Sequence, residues 1–398
     1  MPEILHLDPD EFLIDTFALG KKLYETGFRP RHAISIWRGG TPVGLAVDAF
    51  FRSRGIWINH TTIATESYSG IGERGNVTIK GLGHVIKVVC PEDGLLIIDD
   101  VYETGQTIGR IVETIRQEAR ANAPQEIVVA TVHSKPERHE YRDVPIVTVR
   151  ELPGNVWIDY PHELADLVGA DDPDDALIRE KDEEIWRIVR ADSFEATRVH
   201  HDGPYRYIGA RELLLEAMRL GVNIARDESF YPDILIALWP GGIGAGLPVH
   251  EVYKYKLKRR GLSCPPPDHV SLNTTESHLS YHTNVIGMRY LEERISRDDN
   301  VLIIDTTFSS GRLFSDVLVK LKSALRRNLD HERVRMASIY FNPHDRSTWT
   351  VRPLLDRPHY YLREVDHEII FPHSIQKLRD PAGELARLVP RLHRVLYG

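Results

Sequence analysis

The chain has 398 residues, of which 42% are hydrophobic and 27% are charged, and this length predicts two or three globular domains. The net charge of −8 argues against nucleic acid as a partner, and the two cysteines exclude a disulfide framework and favour the reducing cytoplasm. No apolar run approaches the roughly 18 residues that a membrane-spanning helix needs, so no membrane partner is expected.

The first half of the chain alternates amphipathic helices with unbroken apolar strands. The pattern predicts helices over 8–27, 41–55 and 108–120 and strands over 33–37, 95–99 and 126–134. Such an alternation indicates a parallel sheet that helices cover on both faces. Ligands bind at the carboxyl ends of the strands of such sheets. We therefore expect WRGG (37–40), DDVYETGQT (99–107) and HSKP (133–136) to converge on one crevice.

Four stretches of the first half recur in the second half, in the same order and at similar spacing. They pair 32–47 with 233–249, 95–107 with 301–313, 132–138 with 340–346, and 156–163 with 368–374. This self-similarity indicates a tandem duplication. We expect two α/β domains, 1–165 and 205–398, each with a mainly parallel sheet, flanking helices and a small hood segment. Residues 166–204 are interpreted as a linker and the leading helix of the second half.

The segment LLIIDDVYETGQT (95–107) places two acids and a hydroxyl-rich turn directly after a buried strand. A turn of small and hydroxylated residues that enters a helix gathers N–H groups which, with the helix dipole, cradle a phosphate. Thr104 and Thr107 add hydroxyl donors. Asp99 and Asp100 suit ribose hydroxyls and a hard cation such as Mg²⁺. These groups predict a sugar-phosphate substrate with a metal; the alternative is a strand whose aspartates merely start a helix.

This segment resembles the phosphoribosyl-pyrophosphate-binding motif of the type I phosphoribosyltransferases, in which two acids precede a Thr-Gly-x-Thr turn. The resemblance implies two domains of that family's fold, with Asp99 and Asp100 binding ribose and Mg²⁺. It also implies a 5′-phosphate loop, which consists of Glu103, Thr104, Gly105, Gln106 and Thr107. Residues 30–165 are similar to the xanthine–guanine and hypoxanthine branch, which often has an aspartate base at the position of Glu103. A glutamate keeps the carboxylate and lengthens its reach.

Two further segments resemble parts of the family's site that handle the leaving group. ISIWRGGTPVG resembles the pyrophosphate loop, with Arg38 at its centre and Gly39 and Gly40 following. A cation beside a flexible glycine backbone suits a diphosphate leaving group. The glycine-rich stretch 65–81 resembles the mobile loop that closes over the site, with Ser67 and Tyr68 as its Ser-Tyr pair. Such a lid excludes water from an activated sugar.

Two segments resemble the family's base-binding parts. Lys135 in SKP stands where a lysine donates to the exocyclic oxygen of a 6-oxopurine; the alternative is a solvated surface lysine. VWIDYPHE resembles the segment in which an aromatic ring stacks on the base. Trp157 is the stacking candidate and Ile158 the source of main-chain contacts, while the alternative for Trp157 is a core position.

The second copy keeps the strand and the turn but changes the chemistry. The replacements are Thr306 for Asp100, Ser309 for Glu103, Pro240 for Arg38, Asn342 for Lys135 and, roughly, Glu368 for Trp157. We therefore predict that the second half does not catalyse the reaction. It is expected to act as a structural partner in an intrachain pseudo-dimer, and two chains can in addition form a homodimer. The retained turn at Ser310-Gly311-Arg312 can still hold a phosphate.

The resemblance implies a Mg²⁺-dependent enzyme of purine salvage. Its reaction transfers 5-phosphoribosyl from phosphoribosyl pyrophosphate to a purine or purine-like base and releases pyrophosphate. Two other functions stay open. One is the same transfer to a non-purine acceptor, which the tandem build and Tyr160-Pro161-His162 in the base segment allow. The other is a non-catalytic regulator that binds phosphoribosyl pyrophosphate, although the chain has no evident basic appendage for nucleic acid.

Overall fold

The structure is a computed structural model. It describes residues 3–67, 77–169, 172–261, 264–274, 285, 287–344 and 355–398. The chain divides into two compact units, which we call unit 1 (residues 1–159 and 372–398) and unit 2 (residues 160–371). No helix among the described residues is long and apolar enough to cross a membrane.

Unit 1 contains eight strands and six helices among its described residues. They are β1 (Ile4–His6), α1 (Pro9–Glu25), β2 (His32–Trp37), α2 (Gly40–Ser53), β3 (Asn59–Ser67), β4 (Val77–Lys80), α3 (Gly83–Val88), β5 (Gly94–Tyr102), α4 (Gln106–Ala119), β6 (Glu126–Ser134), β7 (Ile146–Glu151), β8 (Trp157–Asp159) and, at the C-terminal end of the chain, α11 (Pro381–Leu388) and α12 (Pro390–Tyr397). The predicted strands and helices of the first half are all present within a few residues of their expected bounds.

Unit 2 also contains eight strands and six helices among its described residues. They are α5 (Ala176–Lys181), α6 (Glu183–Arg190), β9 (Thr197–Val199), β10 (Tyr205–Tyr207), α7 (Ala210–Arg226), β11 (Ile234–Trp239), α8 (Ile243–Arg259), β12 (Asp268–Asn273), α9 (Met288–Arg294), β13 (Val301–Phe308), α10 (Arg312–Leu325), β14 (Val334–Phe341), β15 (Arg363–Val365) and β16 (Glu368–Ile370).

The main sheet of unit 1 has the strand order β4-β3-β2-β5-β6-β7. Every neighbouring pair is parallel except β3 and β4. Helices α1 and α2 pack on one face, and α3 and α4 pack on the other, where Ile34, Ile97 and Ile111 share one apolar cluster. The predicted α/β architecture, a mainly parallel sheet with helices on both faces, is thereby confirmed. Its unbroken apolar runs are strands that are buried on both sides.

The main sheet of unit 2 has the order β12-β11-β13-β14-β15-β9, and all its pairs are parallel. Five of its strands repeat the order β3-β2-β5-β6-β7 of unit 1. Each unit also has a separate two-stranded parallel pair, β1 with β8 and β10 with β16. The two sheets differ at one edge each, where unit 1 adds β4 and unit 2 adds β9.

The compact units differ from the sequence-based ranges in two places. The leading helix of the second fold is α7, which follows β10 as α1 follows β1; residues 166–204 contain α5, α6 and β9 instead. Residues 372–398 are part of unit 1, although the sequence assigns them to the second domain. The reason is that the sequence pattern of an amphipathic helix identifies its apolar face but not the surface against which that face packs.

Candidate functional site

The turn between β5 and α4 has a conformation that requires glycine. Gly105 has a φ of 77°, in the left-handed region, and a Cβ at this position would lie 2.1 Å from the Tyr102 hydroxyl oxygen. The α4 helix starts directly afterwards, with no acidic residue in its first turn. The Gln106 amide donates to Thr104 Oγ1 at 3.3 Å, and Thr107 lies in the first turn of the helix. The predicted phosphate loop is therefore a tight turn that leads into a helix N-terminus.

The segment after β2 packs directly against the end of β5. A Cβ on Gly39 would lie 1.8 Å from Asp100 Oδ2, and one on Gly40 would lie 2.4 Å from the Ile98 carbonyl oxygen. Only glycine permits backbone and carboxylate to approach this closely. The Arg38 charge is near enough to oppose the rise in the pKa of Asp100. The predicted pyrophosphate loop and the two predicted acids thus lie together.

The two adjacent carboxyls at the end of β5 both have a raised pKa. Burial raises the pKa of Asp99 well above its usual range, and the neighbouring Asp100 charge raises it further. Burial also raises the pKa of Asp100. Among the described residues, no group of three or more His, Cys, Asp or Glu side chains is arranged to hold a metal. Two carboxylates fit Mg²⁺ nevertheless, because that ion commonly uses one or two carboxylates and takes its other ligands from phosphates and water.

Glu103 lies between two cationic side chains. It forms an ion pair with Lys135 Nζ, and its Oε2 is 3.2 Å from Arg138 Nη1. The Lys135 backbone amide donates to the Tyr102 carbonyl at 2.8 Å, which joins the ends of β5 and β6. Lys135 is 4% exposed, so it is not a solvated surface lysine. Sequence reasoning did not single out Arg138, although its position in SKPER, three residues after Lys135, was a usable signal.

A segment after β6 holds the turn between β5 and α4 in place. The Thr104 carbonyl accepts hydrogen bonds from the Glu140 and Tyr141 amides, both at 3.0 Å. The Gln106 side chain donates to Glu140 Oε2 at 2.6 Å, and the Tyr102 hydroxyl donates to the Tyr141 carbonyl at 2.7 Å. Sequence reasoning missed these contacts, since no motif marks the residues that make them.

The stacking candidate Trp157 and its neighbour Ile158 lie in the β1–β8 pair and not on the main sheet. Trp157 is half exposed, which rules out the core position considered for it. Its amide donates to the Glu3 carbonyl, and the Asp159 carbonyl accepts from the Leu7 amide. Because backbone groups alternate between the two edges of a strand, those of Ile158 point away from β1. Of the lid candidates, Ser67 ends β3, and Tyr68 lies outside the described residues.

Unit 2 repeats the backbone frame of this site with different side chains. Gly311 has a φ of 69° and starts α10, as Gly105 starts α4. The Asn342 amide donates to the Phe308 carbonyl at 2.8 Å, the same bond that Lys135 makes in unit 1. A Cβ on Gly241 would lie 3.0 Å from Thr306 Oγ1, at the position of Asp100, and 2.6 Å from Asp305 Oδ1. The left-handed glycine and the hydrogen bond between strand ends support the residue-by-residue alignment, because equivalent positions have equivalent backbone geometry.

No protein-family model and no curated protein matches the chain. Solved structures do match parts of it. A hypothetical protein from Neisseria gonorrhoeae with bound ppGpp is 20% identical with a TM-score of 0.34, over 41% of this chain and 91% of that one. A purine phosphoribosyltransferase from Pyrococcus horikoshii Ot3 is 24% identical with a TM-score of 0.32, over 41% and 95%. The Helicobacter pylori xanthine-guanine-hypoxanthine phosphoribosyltransferase is 16% identical with a TM-score of 0.31, over 40% and 92%. TM-scores this low decide neither fold nor activity, which must be argued from the chain's own geometry.

Proposed function

We propose that unit 1 transfers a 5-phosphoribosyl group from phosphoribosyl pyrophosphate to a purine or purine-like base and releases pyrophosphate. The observation that carries this proposal is the meeting of three groups at the carboxyl end of β5. These are the Arg38–Gly40 segment, the carboxyl pair Asp99 and Asp100, and the glycine turn into α4. A diphosphate, a ribose and a 5′-phosphate are the chemical groups that match such donors.

Each part of the substrate has a candidate partner in this chain. Residues 104–107 would bind the 5′-phosphate with backbone amides, and Arg38 with the Gly39 backbone would bind the diphosphate. Asp99 and Asp100 would hold the ribose hydroxyls and Mg²⁺. When bound, Mg²⁺ would neutralise charge on the leaving diphosphate.

The reaction exchanges one bond at the anomeric carbon for another. The bond between C1 and the diphosphate oxygen breaks, and the diphosphate leaves with the bonding electrons. The lone pair of a ring nitrogen on the base forms the new C1–N bond. The proton of that nitrogen passes to the Glu103 carboxylate, which acts as general base.

The ion pairs of Glu103 suggest how this residue is made available. We propose that the incoming base draws Lys135 away from Glu103 towards its exocyclic oxygen. Glu103 then keeps the contact of its Oε2 to Arg138, and its Oε1 becomes accessible to the proton of the nucleophile. Trp157, half exposed on β8, is the proposed stacking surface.

Unit 2 is proposed to be a non-catalytic duplicate that supports unit 1 structurally. It keeps the turn at Gly311 but has Thr306, Ser309 and Asn342 where unit 1 has the second acid, the base and the lysine. Unit 2 therefore has neither the second acid that is proposed to hold Mg²⁺ nor the carboxylate that is proposed to accept the nucleophile's proton.

A pyrophosphate-release assay with phosphoribosyl pyrophosphate, Mg²⁺ and a panel of bases tests the activity. Release with a purine, together with a nucleotide product of the matching mass, is the expected result. Release only with non-purine bases would move the acceptor to another class of heterocycle. Binding of phosphoribosyl pyrophosphate without release for any base would indicate a regulator, and neither binding nor release would refute the proposal.

A further inference from the structure

The segments that follow the last strand of each fold are equivalent in sequence and in structure. Tyr160-Pro161-His162 follows β8, and Phe371-Pro372-His373 follows β16. Each is followed by a short 3-10 helix, Ala165–Leu167 or Ile375–Lys377, and then by a pair of helices. These pairs are α5 with α6 and α11 with α12, and we call each segment with its helices a tail.

Neither tail belongs to the unit whose last strand comes immediately before it; each is part of the other unit. The tail after β8, the last strand of unit 1, is part of unit 2. The tail after β16, the last strand of unit 2, returns to unit 1 from Pro372 onwards. Each unit therefore contains the tail that follows the last strand of the other.

In unit 1 the C-terminal tail packs on the leading helix α1. Leu392 and Leu396 on α12 are buried, and α12 packs along α1. Arg391 forms an ion pair with Glu11 on α1, and the Arg54 guanidinium, next to the end of α2, donates to the Leu396 carbonyl. Apolar burial and polar contacts therefore both fix this tail.

In unit 2 the other tail packs on α7, the counterpart of α1. Ile185 and Ile188 on α6 share one apolar cluster with Met218 on α7. Arg211 Nη2 on α7 is 2.7 Å from Asp182 Oδ2, and Arg219 Nη2 is 2.6 Å from Glu184 Oε1. The leading helix thus receives a helical tail in both units.

The start of this tail is fixed to unit 2 by buried polar contacts. The Leu164 and Ala165 amides donate to Glu251 Oε2 on α8 at 3.1 and 3.3 Å. Lys258 Nζ, also on α8, donates to the Ala165 carbonyl at 2.7 Å. Glu251 is fully buried, so its carboxylate would be costly without these donors.

We propose that the two folds exchange their C-terminal tails. The face of the leading helix in each unit is a docking surface, and its occupant is the helical tail encoded after the other fold. Unit 1 is then completed only by residues 372–398, at the far end of the chain. The second half of the chain therefore has a structural role that is independent of any chemistry, because it ends in the tail that unit 1 needs.

Hydrogen–deuterium exchange of the full chain tests this exchange without any substrate. Leu392→Ala should speed amide exchange in α1 and α2 by at least about tenfold, because the cavity weakens the docking of α12. Exchange in α7 and α8 should stay unchanged. Ile188→Ala should do the reverse, with faster exchange in α7 and α8 only. Leu388→Ala, at an exposed position of the same C-terminal tail, is the matched control and should change neither unit.

The proposal is overturned if each substitution instead speeds exchange in the fold that comes immediately before the substituted tail in the chain. For Leu392→Ala the elements of that fold are β13, β14 and α10, and for Ile188→Ala they are β5, β6 and α4. If Leu392→Ala does not fold, Arg391→Ala replaces it, since this side chain is half exposed and its loss leaves the apolar contacts intact. That variant should speed exchange in the first turn of α1, where Glu11 lies, and unchanged exchange there would count against the docking. The result does not depend on whether unit 1 is an enzyme.

Discussion

At the scale of single residues, the site depends on a carboxylate that occupies the space beside a glycine. Asp100 fits against Gly39 because that position has no side chain, and in unit 2 both Asp305, at the position of Asp99, and Thr306, at the position of Asp100, approach Gly241. The two units therefore share the first acid and differ at the second position, where unit 1 has Asp100 and unit 2 has Thr306. Substitutions at Asp100 and at Asp305 in the same chain therefore distinguish a role of the carboxylate in the reaction from a role in the fold.

Asp100→Asn should lower pyrophosphate release by about 100-fold or more, because it removes a charge from the proposed ribose and metal site. Asp305→Asn is the control, since it removes a carboxylate charge beside Gly241, the counterpart of Gly39 in unit 2, and should leave release unchanged. Steady-state rates at saturating phosphoribosyl pyrophosphate measure both. An Asp100→Asn variant with full turnover would contradict the metal and ribose assignment.

His60 predicts an acid-sensitive contribution to stability. It is buried on β3, where its Nε2 is 2.8 Å from Ser35 Oγ. Burial, with a smaller contribution from the Arg52 charge, lowers the pKa of His60 from 6.5 to about 3. Between pH 6.5 and 3, His60 binds a proton in the unfolded chain but stays neutral in the folded chain. The free energy of unfolding therefore falls as the pH drops from 6.5 towards 3, by at most about 1.4 kcal/mol per pH unit.

His60→Gln should reduce this pH dependence, because glutamine can still bond Ser35 and does not titrate. The measurement is the urea midpoint of the full chain at pH 7 and at pH 5. The difference between the two midpoints should be smaller in His60→Gln than in the parent chain. His331→Gln, at an exposed histidine, should keep the parental difference. An unchanged difference in His60→Gln would show that His60 is not a source of the acid sensitivity.

At the scale of elements, the strand–turn–helix unit is the structure that both folds preserve. In each, a strand ends in an aromatic residue, Tyr102 or Phe308, whose ring lies under a left-handed glycine. The helix starts at the next residue, which fixes the direction of its N-terminus at the sheet edge. The turn is therefore set by packing as well as by backbone conformation.

Gly105→Ala should destabilise the chain by roughly 1–3 kcal/mol or more, because it adds a clash with Tyr102 to the backbone cost of a positive φ. Gly27→Ala is the matched control. Gly27 has a φ of 86° and nothing within 4 Å of an added Cβ, so it should show the backbone cost alone. Urea denaturation of both variants gives the two free energies of unfolding. Equal losses would show that the turn does not depend on the Tyr102 contact.

At the scale of the whole molecule, the chain contains two folds with one strand order and exchanged tails. Leu385, Leu392 and Leu396 in the C-terminal tail are buried within unit 1, so the first 165 residues do not contain all of its core. Unit 1 is therefore built from two separate stretches of sequence, which a single continuous domain range does not describe.

A fragment of residues 1–165 should lack a cooperative urea transition or show a much lower midpoint than the full chain. The face of α1 that α12 covers would be exposed, and losses of about 2–5 kcal/mol are typical for each buried leucine removed. The control fuses residues 372–398 to this fragment through a flexible linker and should restore the transition. A fragment 1–165 that is a soluble monomer with full activity would contradict the supporting role of the second half.

The sequence predicted strands β2, β5 and β6 and the turn at Gly105 because their signals are local. An apolar run of five residues, two acids and a Thr-Gly-x-Thr turn are contiguous, and so is the structure that they form. The nearness of Arg38–Gly40 to Asp100 was also predictable, since parallel strands bring their carboxyl ends to one edge. The contacts between Glu103, Lys135 and Arg138 were not, because they depend on side-chain directions at the ends of two strands.

By itself, the sequence determined the α/β class, the recurrence of one strand–turn–helix unit and the side chains in which its two occurrences differ. Only the tertiary structure decided that α7 is the second leading helix and that 372–398 complete unit 1. The physical reason is that the apolar face of a helix is stabilised by burial against any complementary apolar surface, so its sequence pattern does not identify the partner. Two equivalent leading helices offer two equivalent surfaces, and the choice between them is made by the packing of the whole chain.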